Sequence, residues 1–219
     1  MQHNRYVDDD LDWLIELGPE EREFDESKHP RDDHGRWSSG GGGDGSSDID
    51  MAEKLTASEM KAAKADVEED FPDLKNYSVI GKDSPDFNCA ADACGDHDGG
   101  WWWPGAGPDF HWPKDEDAPS EDAFDRLFVD DLGAEKLAPE APNAETPEKG
   151  FVKLALFEDV AQDPTHLTRL MDNGHWASKL GSSYKIEHDK LHRLDGNLYG
   201  HPAAVYKIKE EEWFKLRNM

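Results

Sequence analysis

Cysteine is almost absent: Cys89 and Cys94 are the only two in 219 residues, too few for a disulfide scaffold. Long apolar runs are missing as well. None approaches the roughly 18–20 residues that a transmembrane helix needs. The first ten residues lack the basic start and apolar stretch of a signal peptide, so signal-directed secretion is not expected. Bases are scarce, with 24 Lys and Arg against 50 Asp and Glu and a net charge of −26. Such an excess repels phosphate backbones, which excludes direct nucleic-acid binding by the acidic part. What remains is a cytoplasmic or particle-associated protein with no expected membrane contact.

The negative charge is unevenly placed. Residues 1–50 hold 15 acids and 5 bases, residues 51–150 hold 25 and 9, and residues 151–219 hold 10 of each. Residues 1–50 read as an acidic, mostly disordered tail. It carries a short helix at 8–17, where Asp8-Asp9-Asp10 precede Leu11, Trp13, Leu14, Ile15 and Leu17, and a Gly/Ser linker at 38–47. Residues 51–219 read as one folded domain.

Within the domain, Leu55, Met60, Ala63, Val67 and Phe71 recur at helical spacing, predicting a helix over 51–70 with a capping box at Thr56 and Glu59. Residues 77–80 read as a strand, 87–94 as a short helix entered at Asn88, and 121–131 as another helix. Residues 151–157 alternate as a strand. Asp172-Asn173-Gly174 joins two strand-like runs as a hairpin. A short helix is expected over 186–194 and a strand over 203–208, with Trp213 and Phe214 capping the core. Helices followed by a strand meander predict an α+β fold with an antiparallel sheet.

Cys89 falls at the first position of a helix, directly after Asn88. Helix N-termini favour the thiolate, the nucleophilic form of cysteine. His166 is the candidate general base, opening a strand ahead of the Asn-Gly hairpin. Ser178, on the neighbouring strand, is the candidate third member that orients the imidazole; Glu187 and His188 fit that role less well. The alternative for Cys89 is a small buried apolar residue. A zinc site is disfavoured because Cys89 and Cys94 are five apart and no second close pair accompanies His97 and His111. No metal or cofactor is expected. The tryptophans at 101–103 suit packing beneath a long loop, with one ring lining a cleft.

Two resemblances extend this reading. Phe24 to Trp37, with His29-Pro30-Arg31-Asp32 and Gly35-Arg36-Trp37, resembles a short element of phage and prophage structural proteins, which implies a phage-encoded, virion-associated protein. Asn88-Cys89, Trp101-Trp102-Trp103-Pro104, Trp112-Pro113, Thr165-His166, Trp176 with Ser178-Lys179-Leu180-Gly181, Ile186 with His188, and Tyr199-Gly200 occur in one order. Together they resemble an uncharacterised bacterial domain family, spanning about residues 65–209, whose Cys–His order implies a remotely papain-like arrangement. Asp92 and Leu167 depart from that pattern, where an aromatic residue and an alanine are expected.

The leading expectation is therefore a papain-like cysteine hydrolase of amide bonds (peptidase, amidase or deamidase) acting on a protein or peptide, with a tail that binds phage capsid proteins or another partner. It would sit in the host cytoplasm or in the virion. The rival is a non-enzymatic acidic protein that imitates nucleic acid and occupies a basic host protein, such as a nuclease or defence factor.

Overall fold

Thr56 sets the start of the first helix. Its hydroxyl accepts from the Glu59 N–H, and the Glu59 carboxylate accepts from the Thr56 N–H (2.7 Å), so two end-of-helix donors are satisfied reciprocally. The computed structural model describes residues 55–219 except 99, 109, 197, 217 and 218; all of these belong to one compact unit. The expected tail helix, Gly/Ser linker and His29-Pro30-Arg31 element lie outside the described residues, as do residues 51–54 of the first expected helix.

Helix α1 spans Ala57–Asp70, shorter than its apolar spacing suggests because the cap fixes its origin at Thr56. It is followed by strand β1 (Tyr77–Gly81), helix α2 (Cys89–Cys94) and helix α3 (Glu121–Asp125). α3 does not run on as α-helix to residue 131. It widens into a π-helix over Arg126–Asp131 that leaves Leu127 and Phe128 both buried. Strands β2 (Glu135–Leu137), β3 (Phe151–Glu158), β4 (Pro164–Leu170), β5 (Trp176–Lys179), β6 (Lys185–His188) and β7 (His201–Lys209) follow, and helix α4 (Glu210–Trp213) closes the order.

The seven strands form one sheet in the order β1-β6-β5-β4-β3-β7-β2, antiparallel at every pairing. The α+β fold class read from the sequence is thus the observed one. The hairpin turns as expected, with Gly174 at φ +83, a left-handed conformation natural to glycine. The helix expected over 186–194 is instead strand β6 followed by a 3₁₀ turn at Leu191–Leu194. Ile186 and His188 are fully buried and alternate with partly buried Lys185 and Glu187, and pairing with β5 and β1 on both sides outweighs the short helical spacing.

Each face of the sheet carries its own core. Ala90, Ala91, Trp102, Phe124, Phe128 and Leu167 lie on one face, with Leu154, Leu156 and Tyr206. Ala63 and Val67 of α1 cover the other, with Phe157, Trp176, Ile186, Leu191 and Tyr199. Trp213 caps the first core as expected, its indole N–H donating to Ala93 O (3.2 Å), while Phe214 stays exposed.

Candidate functional site

Asn88 organises the entrance to α2. Its Oδ1 accepts from the Ala91 N–H (3.1 Å) as the helix cap and from the Trp102 N–H (3.1 Å), and its Nδ2 donates to Trp102 O (2.9 Å). One buried amide therefore ties the start of α2 to the tryptophan loop. Cys89 follows as the first helical residue, 7% exposed. Burial pushes its thiol up to about 11, against the opposing pull of the Leu167 and Ala90 backbone and the Lys179 charge. At neutral pH it is a thiol, not a thiolate. Cys94 is also buried and free.

His166 sits on β4, the strand against which α2 packs, but on its other side. Leu167 shares a core with Ala90 and Ala91. By the two-residue alternation of a strand, its neighbour His166 turns to the opposite face. There it pairs in register with Phe157 and stacks on Tyr199, ring centroids 4.1 Å apart. The imidazole is 0% exposed and neither ring nitrogen has a hydrogen-bond partner. Burial pulls its pKa down to about 3, so it too is uncharged at neutral pH. The structure brings α2 onto β4, with the Cys89 thiol hydrogen-bonded to the Leu167 backbone and neither ring nitrogen of His166 hydrogen-bonded.

Ser178 lies on the same face as His166, engaged elsewhere. Its Oγ is 2.8 Å from Thr168 Oγ1 and 2.9 Å from His188 Nε2, while His188 Nδ1 lies 2.8 Å from Lys190 O. Thr168 donates onward to Ala177 O (2.7 Å). The chain Thr168–Ser178–His188 is a buried relay that pins β4, β5 and the end of β6 together; it holds His188 rather than His166.

The α2 face carries a second polar cluster that sequence reasoning did not assemble. Asp92 is buried and accepts from Lys185 Nζ (2.8 Å), with His97 Nε2 at 3.0 Å. Burial alone would raise its pKa, but the neighbouring Lys185 and His97 hold the carboxyl well below the ordinary range. The aspartate that stands where an aromatic residue was expected is thus the anchor of an ionic network, and its charge raises the Cys89 pKa slightly. Lys179, beside it, donates to Ser84 O (2.9 Å), Gly181 O (2.7 Å) and Ser183 O (2.7 Å). In the Ser178-Lys179-Leu180-Gly181 string the serine ties strands together and the lysine gathers two loops. Tyr199-Gly200 is equally structural. Tyr199 O accepts from Thr165 Oγ1 (2.7 Å), and a Cβ on Gly200 would meet Glu158 O at 1.9 Å.

The tryptophans divide as packing requires. Trp101 and Trp102 are buried, and Trp102 donates to Asp96 Oδ2 (2.9 Å). Trp103 and Trp112 stand edge-on to Phe124 (5.5 and 5.0 Å) and line a recess with Phe110. His97 is occupied by Asp92, and His111 packs on Trp102 (4.5 Å). Among the described residues no group of three or more His, Cys, Asp or Glu could hold a metal ion, and no helix is long and apolar enough to cross a membrane.

Residues 78–207 match the family described as a domain of unknown function, DUF7689. The match covers more than half of the chain, which therefore belongs to that family. No curated protein and no solved structure matches it.

Proposed function

We propose that this chain is a non-enzymatic acidic interaction protein whose partner is a basic protein of the host-nuclease or defence-factor type. The observation that carries the reading is the end of α1. Glu68, Glu69 and Asp70 fill its last turn with no base among them. A helix C-terminus is the negative end of the dipole, where acids are unfavourable by about 0.3–1 kcal/mol each. Burial and the neighbouring Glu69 and Asp66 raise the Asp70 pKa. Glu68 also accepts from the Tyr77 hydroxyl (3.3 Å), whereas Glu69 and Asp70, kept where stability opposes them, fit a surface for a cationic partner. The His29-Pro30-Arg31-Asp32 element supports a phage-encoded protein whose front segment attaches it to a particle.

Binding of the full chain to protamine, an arginine-rich probe, tests this. Glu68→Gln, Glu69→Gln and Asp70→Asn together should weaken binding roughly tenfold at low salt. The same charge change at exposed Glu140, Asp172 and Glu211 should weaken it far less. Equal losses would overturn a defined surface.

A second reading, the cysteine hydrolase, is favoured by one observation: His166 is buried with both nitrogens unpartnered, on the strand that α2 and Cys89 pack against. It requires the imidazole to come within hydrogen-bond reach of the thiol, which bonds the backbone of the neighbouring Leu167. Thiol labelling of Cys89 at neutral pH, abolished by His166→Ala, supports it; labelling unchanged by that substitution rejects it.

A further inference from the structure

The loop after α2 forms a recess of about 350 Å³, within the roughly 300–1,000 Å³ of small-ligand sites. Its walls are aromatic: Trp103, Phe110 and Trp112. They do not depend on a ligand for their positions, since Trp103 and Trp112 both bear edge-on upon the fully buried Phe124, and Phe110 upon Trp101 (5.9 Å). The rim is acidic, formed by Asp115, Glu116 and Asp117. Glu116 is held in place by the Arg126 guanidinium, and the one base on the rim, Lys114, is turned to Asp131 (2.8 Å). Asp115 and Asp117 are exposed. The indole N–H of Trp112 is buried and meets no acceptor.

Preformed aromatic walls beneath a negative rim suit a planar cation. The ring quadrupole attracts the charge and the faces stack on a guanidinium, more strongly as water is excluded. We propose that this recess is the anchor site for an arginine side chain presented by the basic partner. The proposal rests on the acidic-interaction reading and adds to it the residue at which a partner is held. The two acids at 115 and 117 make capture salt-dependent, because exposed charges are screened within about 8–10 Å at ordinary ionic strength.

The test is a titration of the full chain with hexa-arginine at low and high salt, read by calorimetry and by the indole N–H resonances. Trp112→Leu, which identifies the Trp112 resonance, should weaken binding roughly three- to thirtyfold, as the loss of one such contact does. Trp112 contributes to packing, so Asp115→Asn with Asp117→Asn, which spares the core, provides the independent arm and should weaken binding about threefold at low salt. Hexa-lysine, which cannot stack in the same way, should bind more weakly than hexa-arginine. If hexa-arginine binds but neither variant changes its affinity and the Trp112 resonance stays fixed, the recess is not the site, and the acidic-interaction reading stands without it. If neither hexa-arginine nor protamine binds at low salt, that reading fails and takes the recess with it.

Discussion

Both faces of the sheet fasten buried polar groups, and each leaves an exception: Trp112 Nε1 against the α2-face core and the two nitrogens of His166 on the α1 face. On the α2 face Asn88 and Asp92 each meet two partners or more, and Lys179 gathers three carbonyls. The α1 face has the same device in Lys153, which donates to Asn143 O, Thr146 O and Glu148 (each 2.6 Å). Yet one strand away that face leaves both nitrogens of His166 without a partner. A paired buried group fastens loops to the sheet. An unpaired one weakens the fold by about 1–3 kcal/mol and has to be explained by something other than stability. Ser178, the candidate third member, is engaged between Thr168 and His188, and Lys179 beside it holds loop carbonyls, while the imidazole stands apart.

The largest expected effect sharpens the fastener side. Lys179→Met should destabilise by about 3–5 kcal/mol, because three carbonyls lose their donor in a buried setting, and Lys153→Met should match it; urea unfolding reads both. A far smaller loss at either would show that its loops are held by other contacts.

Acid sensitivity comes next. His166 and His188 have folded pKa values lowered to about 3 and about 4, below the unfolded value near 6.5. A base held neutral in the fold stabilises less as pH falls below its unfolded pKa, so each should withdraw about 2 kcal/mol by pH 5. Glu158 works in the opposite sense. Burial first, and then the neighbouring Glu121, Asp159 and Asp163, raise its carboxyl to about 7 against the pull of Lys136. The fold therefore gains stability as pH falls through 7 toward the unfolded value. Glu158→Gln removes that compensation and should steepen the acid loss, and His166→Phe should flatten it. At pH 7 His166→Phe, which keeps the stack on Tyr199, should be neutral or stabilising. A clear loss there would mean that the imidazole nitrogens are engaged after all. The smallest effect is that of Ser178→Ala, about 1–2 kcal/mol for cutting the link between Thr168 and His188.

Local signals carried most of the fold. The capping box at Thr56 and Glu59, Asn88 as an N-cap, the Asn-Gly hairpin and the alternation of 151–157 each rest on a few neighbouring residues. β2 escaped because three residues carry no period. The helix expected at 186–194 rested on Leu191 and Leu194, three apart, which form only a 3₁₀ turn, while Ile186 and His188 alternate as a strand that its flanking partners fix. The candidate site was legible as residue types, not as contacts. Nothing in Thr165-His166-Leu167 says which of the two side chains faces α2, and the bulge between Phe157 and Glu158 is invisible in the string.

The sequence by itself determined the caps at Thr56 and Asn88, the Asn-Gly turn, that an antiparallel meander ends the chain, and that its front two-thirds hold the excess of acid. These depend on capping, backbone freedom and composition, all local properties. Only the tertiary structure decided that Leu167 rather than His166 turns to the core shared with α2, that Asp92 is neutralised by Lys185, and that Trp103 and Trp112 wall one recess. Strand register assigns each side chain to a face, and that register is settled by packing between residues far apart in the chain.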